Sequence, residues 1–208
     1  MIYQSINQAV LDRIPRSVRS VLDVGCGGGV FGAAVKAVVP CAVVGLTYSE
    51  AEAAQARTCL DRVEVVDLNH FDATDLGTFD CVVCSHVLEH LLDPQTVLTQ
   101  LRRCLTPGGT LLVALPNVLF WKQRVQFVQG RFRYTEGGLM DKTHFRFFDW
   151  DGAAQLVREA GFDVRERVAD GGFPLSGRLG KSMGQTLDRS ALARFPGLFG
   201  FQFVLSAR

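Results

Sequence analysis

The stretch Ser85–His90, SHVLEH, reads H-x-x-E-H, with His86, Glu89 and His90 at positions i, i+3 and i+4. On a helix these positions share one face. Two imidazoles and a carboxylate on one face can hold a zinc ion and set a general base beside it, as in a metal-dependent hydrolase. If the segment instead ends a strand, the same residues are polar groups at the mouth of some other site. The surrounding elements choose between these readings.

A second stretch bears on the choice. VLDVGCGGGVFG (residues 21–32) reads as a strand, a glycine turn and a helix start, which brings backbone N–H groups close to a ligand. Gly27, Gly29 and Gly32 match G-x-G-x-x-G, which by itself admits a dinucleotide. Asp23 opposes that reading. A carboxylate two residues before Gly25 repels a pyrophosphate and suits a cationic or amine-bearing ligand. S-adenosylmethionine, with an α-ammonium, a sulfonium and no phosphate, is such a ligand.

Four nearly continuous apolar runs predict strands buried on both faces of a parallel sheet: VRSVLDVG (18–25), CAVVGL (41–46), FDCVVCS (79–85) and GTLLVALP (109–116). A shorter run, RVEVVD (62–67), fits between the second and third. Helical spacing over 30–39, 49–60 and 94–105 alternates with them, and Ser49 is placed as an N-cap ahead of Glu50 and Glu52. The alternation predicts an α/β, doubly wound Rossmann-like sheet with right-handed crossovers. SHVLEH then begins where the third long strand ends.

After Pro116 the pattern changes. Residues 117–129 have helical spacing, ended by Gly130, and RFRY and HFRFF alternate like short extended pieces. Asp149 caps a helix reaching Gly161, and FDVRERVA and FGFQFVLSAR read as closing strands. Residues 171–197 read as a loop with a short helix near 185–193. One domain over 1–208 with a substrate-lid insertion at 117–148 is expected.

VLDVGCGGG resembles motif I of the class I S-adenosylmethionine-dependent methyltransferases, with Asp23, Gly25, Gly27 and Gly29 on its marked positions. The segment from Thr78 to Asn117, with its L-x-P-G-G turn at 105–109, resembles the fourth strand, following helix and fifth strand of that family. The likeness is close over about 18–116, and the closing hairpin carries it to the C-terminus. It implies a seven-stranded sheet, S-adenosylmethionine as cofactor, and methyl transfer as activity. One departure stands out: Thr47, followed by Tyr48, occupies the place where the family usually ends its second strand with a ribose-binding acid. The form G-L-T-x-S is similar to the cyclopropane-fatty-acid-synthase branch, in which a threonine and a polar residue five positions later serve the ribose. Glu52 holds that later place here, and a plain first-turn surface acid is the competing reading. The resemblance also places Asp67 at the adenine amino group, the Leu68 backbone beside it, Ser85 at the ligand crevice, and Tyr3 over the methionine end.

The lid segment is aromatic and basic, with Lys or Arg at 122, 124, 131, 133, 142 and 146. Such a lid suits an anionic or sugar-bearing small-molecule acceptor; packing of the aromatics onto the body is the alternative. Its order of P-N-x-x-x-W-x-x-R, G-R-F-x-Y and D-x-T-H-x-R-F-F resembles MetW-like and polysaccharide-associated bacterial methyltransferases. His144 is the first candidate for a general base, as a neutral imidazole accepts a hydroxyl proton near pH 7. His86 and His90 are further acceptor-side candidates, and Arg146 is read as an anion binder or a partner of Asp141. Some relatives with E-x-x-E-H at this corner bind a divalent ion, which keeps a metal open with His86 in the first place, but no metal is expected. Carbon methylation or cyclopropanation of a lipid, and a non-catalytic MetW-like partner role, are the alternatives to transfer onto oxygen or nitrogen.

Bulk properties exclude other classes. A chain of 208 residues suits one α/β core. Its net charge of +1 points to neither nucleic acid nor an anionic membrane. The opening MIYQSINQAVLDRIPRS lacks an apolar core behind a basic start, so no signal peptide is read, and no apolar run has spanning length. A cytoplasmic protein is expected. Cys81 and Cys84 form C-x-x-C inside a strand, where residues three apart face opposite ways, so reduced core thiols are expected rather than a metal grip.

Overall fold

Alternation along the strands creates two buried faces. In β1 (Ser20–Val24), Val21 joins one apolar cluster and Leu22 the other; in β4 (Phe79–Ser85), Cys81 and Val83 face one way, Val82 and Cys84 the other. The same division runs along β5 (Leu105–Pro116), with Leu112 and Ala114 opposite Leu111, Val113 and Leu115. Side chains of period two cannot share a face with their neighbours, so a strand apolar on every residue must be covered on both sides. The computed structural model describes residues 6–174, 176 and 181–208.

The covering helices separate accordingly. Val10 and Leu11 of α1 (Gln8–Leu11), Val35 of α2 (Val30–Val38), and Ala53 and Ala56 of α3 (Glu50–Ala56) join one cluster. Val97, Leu98 and Leu101 of α4 (Pro94–Arg102) and Ala153, Ala154, Leu156 and Val157 of α6 (Trp150–Glu159) join the other. With β2 (Ala42–Thr47), β3 (Arg62–Val65), β6 (Val164–Gly171) and β7 (Gly200–Ala207), the sheet has seven strands in the order β3-β2-β1-β4-β5-β7-β6. All pairings from β3 to β5 are parallel, and β7 runs antiparallel to both neighbours. The chain order reverses direction between β1 and β4, the switch point outside which open α/β sheets bind ligands.

The expected caps at Ser49 and Asp149 form, and Asp93 supplies a third that was not read from the sequence. Ser49 Oγ accepts from Glu52 N, Asp93 from Thr96 N, and Asp149 from Gly152 N at 2.7 Å. The L-x-P-G-G segment is the first part of β5, with Gly108 at φ +80 and a register shift opposite Phe79–Cys81. Cys81 and Cys84 lie on opposite faces, and burial pushes the Cys81 thiol up to about 12.

The segment between β5 and α6 differs from the sequence expectation. Only α5 (Trp121–Val128) is regular there; RFRY and HFRFF form no strand, and the pairing is confined to the isolated bridges Asn117↔Phe148 and Thr135↔Asp141. The alternation in HFRFF reflects turns that bury Phe148 and His144 and expose Phe145. Likewise α7 (Lys181–Arg194) is longer than the short helix expected near 185–193, and α8 (Pro196–Phe199) precedes β7. Among the described residues no helix is long and apolar enough to cross a membrane.

Candidate active site

Because β1 to β4 are parallel, their carboxyl ends share one edge, and one cavity of about 1050 Å³ lies along it. In sheet order its wall takes Val66, Asp67, Leu68 and Asn69 after β3, Thr47 at the end of β2 with Tyr48 and Glu52 beyond it, Asp23 in β1 with Gly25, Cys26 and Gly27 beyond it, and Ser85 at the end of β4 with His86 and Val87 beyond it. Small-molecule sites span roughly 300–1,000 Å³, so this cavity stands at the upper end of that range.

The glycine turn is built for close approach. Gly25 and Gly27 have φ of +77 and +51, which L side chains rarely adopt, and a Cβ built on Gly27 meets no heavy atom within 4 Å. Gly29 also has a positive φ, +85, but it does not line the cavity. A Cβ there would lie 2.9 Å from Ala56 Cα, so this glycine lets α2 pack against α3. Asp23 is buried, and its Oδ2 has no hydrogen-bond partner. Burial raises its pKa to about 7, against a smaller lowering by the Gly32 backbone. A buried acid with an orphaned oxygen beside a glycine turn fits a cationic ligand that lacks phosphate, the character of S-adenosylmethionine.

At the end of β2 the departure from an acid is made good from the next helix. Thr47 Oγ1 donates to Glu52 Oε2 at 2.7 Å, so a carboxylate stands at the strand end although the strand residue is threonine. Tyr48 is 77% exposed at the rim. Asp67 Oδ1 accepts from Asn69 N and caps the 3-10 turn Leu68–His70.

SHVLEH is no helix. Ser85 ends β4, His86 takes φ +54, and Leu88–His90 form a 3-10 turn. The helical face on which a zinc grip by His86, Glu89 and His90 depended is therefore absent. His86 points both nitrogens elsewhere: Nε2 lies 2.8 Å from Gln202 Oε1 and Nδ1 3.2 Å from Glu89 Oε1. Gln202 Nε2 donates to Asp170 Oδ2 at 2.7 Å, which fixes the amide with its oxygen toward His86. The Gln202 amide oxygen thus faces Nε2, and the Glu89 carboxyl group faces Nδ1. Burial lowers the His86 pKa, but the bonds to Glu89 and Gln202 and the Glu89 charge outweigh it, and the net shift is upward.

The insertion closes over this corner. Phe145 N and Arg146 N donate to the Glu89 carbonyl at 2.9 and 3.1 Å, and the Arg146 guanidinium donates twice to the Leu92 carbonyl. Arg146 is thus a backbone clamp. Lys142, paired with Glu136, Thr143 and Phe145 line the cavity with His90. His144 does not; it is buried, with its ring edge-on to that of His90 at 4.7 Å. Burial and the neighbouring His90 hold its pKa below the usual histidine value, against Glu89 and Asp141.

The remaining wall was not read from the sequence. Asn7, Asp170, Phe201 and Gln202 come from α1's N-cap and the closing hairpin. Asn7 Nδ2 donates to Gln202 Oε1 at 2.8 Å across 195 positions, a separation that carries no local signal. Tyr3 lies outside the described residues.

A family model described as a methyltransferase domain matches residues 3–167. A Mycolicibacterium smegmatis protein named a probable S-adenosylmethionine-dependent methyltransferase is 34% identical over 154 residues, 72% of this chain and 54% of that protein. A Thiobacillus denitrificans protein named a ubiquinone biosynthesis O-methyltransferase is 31% identical over 162 residues, covering 74% of this chain and 68% of that one. The chain thus spans about half the length of the mycobacterial relative. A solved S-adenosylmethionine-dependent methyltransferase from Mesorhizobium loti shares the fold, with a TM-score of 0.66 at 17% identity, over 97% of this chain and 96% of that one. With a match over 3–167 laid on this sheet and its strand-end cavity, the chain belongs to the methyltransferase-domain family, in its S-adenosylmethionine-dependent class.

Proposed function

We propose that the protein transfers a methyl group from S-adenosylmethionine to a hydroxyl oxygen, or failing that a nitrogen, of a small-molecule or sugar-type acceptor. The observation that carries this reading is the continuity of one cavity from Asp67 and Thr47 at one end to His90, Thr143 and Phe145 of the corner and insertion at the other. In this assignment Gly27 lets the backbone approach the cofactor, and the orphaned Asp23 oxygen balances its positive charge. Glu52, oriented by the Thr47 hydroxyl, accepts from the ribose. Asp67 and Leu68 flank the adenine, with Tyr48 at the rim and Ser85 at the edge. When bound, S-adenosylmethionine supplies a methyl group on an electrophilic sulfonium, so holding donor and acceptor in line provides much of the rate.

Oxygen is preferred because two relatives, from Thiobacillus denitrificans and Aromatoleum aromaticum, are named ubiquinone biosynthesis O-methyltransferases. The lid motifs support the MetW-like or polysaccharide-associated subgroup. The Thr47–Glu52 pair favours the lipid-modifying branch in one respect. Against that branch, the acceptor end carries Lys142, Thr143, Asp170 and Gln202, a poor lining for an acyl chain. The test is S-adenosylhomocysteine release with a panel of phenolic, sugar, small-acid and unsaturated-lipid acceptors. Turnover on a hydroxylated acceptor is expected. Turnover on the lipids alone would overturn the acceptor assignment, and cofactor binding without turnover on any of them would favour the partner role.

A further inference from the structure

The ligand edge of the sheet does not stop at β4. Because β7 runs antiparallel to β5 and β6 antiparallel to β7, β6 points the same way as β5. Its carboxyl end, with Asp170, therefore lies on the edge where β1 to β4 end. Asp170 is in register with Gln202 of β7, and both line the cavity. In sheet order β6 follows β4, β5 and β7, and at the usual strand spacing it stands roughly 14 Å beyond β4. The residues assigned to the cofactor belong to β1 to β4 and the turns after them, so Asp170 sits at the other end of the cavity.

Its carboxylate is held in place. Oδ2 accepts from Gln202 Nε2 at 2.7 Å. Gln202 is only 8% exposed, and its Oε1 accepts from Asn7 Nδ2 at 2.8 Å and faces His86 Nε2 at 2.8 Å. Oδ1 of Asp170 bonds none of the described residues, and the residue is exposed. A buried amide network thus presents one oriented hydrogen-bond acceptor to the cavity, the kind of placed polar group that sets ligand orientation.

Charge narrows what that acceptor can receive. Of the six Lys and Arg of the insertion only Lys142 lines the cavity, and Glu136 pairs with it at 2.7 Å. Arg124 and Arg146 are spent on backbone carbonyls. An acidic group brought to Asp170 would meet a like charge, with no unpaired Lys or Arg among the described lining residues to offset it. An ammonium would make a charge-assisted bond there, and a hydroxyl an ordinary one. The basic insertion thus does not make this end of the cavity suited to an anion.

We infer that Asp170 is a specificity-determining residue that receives a hydrogen bond from an ammonium or hydroxyl group of the acceptor, apart from the atom methylated, and turns away acceptors with an acidic group at that place. Phe201, which lines the same end, offers an apolar face to a ring. The inference rests on the methyl-transfer reading and names the acceptor class for it.

The test follows S-adenosylhomocysteine release by the full chain with two matched sets of acceptors. One is dopamine, hydroxytyrosol and dihydroxyphenylacetate; the other is glucosamine, glucose and glucuronate. In a set that turns over, kcat/KM is expected to fall from the ammonium to the hydroxyl to the carboxylate member, by at least roughly tenfold overall. Asp170→Asn, whose amide oxygen still takes the Gln202 bond, should flatten this order through KM, and Asp170→Lys should reverse it. Glu166→Gln, on the same strand but paired with Arg13, should keep it. If Asp170→Lys melts early, Asp170→Asn decides. A wild type that prefers the carboxylates, or an order unchanged in Asp170→Asn, overturns the inference. Without turnover in either set, the same compounds are titrated into the S-adenosylhomocysteine complex, where tighter binding of the ammonium members is expected. No such preference, including no binding at all, overturns the inference while leaving the methyl-transfer reading in place. Failure of the wild type to bind S-adenosylmethionine removes that reading and this inference with it.

Discussion

Gly27 and Gly29 sit two residues apart in one motif and answer to different neighbours. Gly27 opens onto the cavity, whereas a side chain on Gly29 would strike Ala56 and Cys59 of the adjoining helix segment. Gly29→Ala is therefore expected to cost about 1–3 kcal/mol by overpacking and to lower Tm by several degrees. Cofactor affinity at a temperature where the variant is folded should be nearly kept. A thermal melt beside a binding titration checks this, and loss of binding with an unchanged melt would contradict it. Asp23 carries a pH dependence. Its folded pKa of about 7 lies above the ordinary 3.8, so its contribution to stability is fully present below about 3.8 and lost as pH rises through about 7. The wild-type protein without cofactor should lose stability between about pH 4 and 7 relative to Asp23→Asn. Affinity for S-adenosylmethionine should rise over the same window in the wild type and stay weak and flat in the variant. Equal pH profiles for the two proteins would remove Asp23 from the site. The sequence showed these residues by their spacing alone, but which glycine faced the cavity depended on where α3 packed.

Two elements supply what single positions could not. The end of β2 lacks its own acid, and α3 returns one through the Thr47–Glu52 bond. If both serve the ribose, Glu52→Gln should weaken S-adenosylmethionine binding by roughly tenfold, the loss of one charge-assisted bond. Combining it with Thr47→Val should cost less than the sum of the two, measured as a coupling in a double-mutant cycle. Unchanged affinity in Glu52→Gln would return Glu52 to a surface role. The closing hairpin makes a second such contribution. Gln202 on β7 meets Asn7, His86 and Asp170 at once. Gln202→Leu should leave polar groups of all three unmatched, at about 1–3 kcal/mol for each that stays buried, with a clearly lowered Tm. A melt equal to that of the wild type would show that water replaces the amide. Strands and capped helices were legible here because period-two burial and the caps Ser49 and Asp149 act locally. The insertion was not, since HFRFF alternates under the control of turns docked on Glu89 rather than of a neighbouring strand.

At the scale of the molecule, parallel β1 to β4 put their carboxyl ends on one edge, and that edge turns separate motifs into one site. SHVLEH takes its meaning from that placement. Read as a helix it suggested a zinc hydrolase; at the strand end it becomes a corner where His86 bonds back into the hairpin and His90 lines the cavity. The alternation of strands and helices and the glycine turn could be read from the sequence, whereas the hairpin side of the cavity is assembled from residues up to 195 positions apart. The central claim is that S-adenosylmethionine occupies this edge, and it is tested most directly by calorimetric titration of the cofactor into the wild type and Gly27→Val. The account predicts one site per chain in the wild type and none in the variant, whose new side chain meets open space but is strained at φ +51, so a thermal melt run alongside shows that the variant is folded. No binding by a folded wild type, or equal binding by the valine variant, would contradict it.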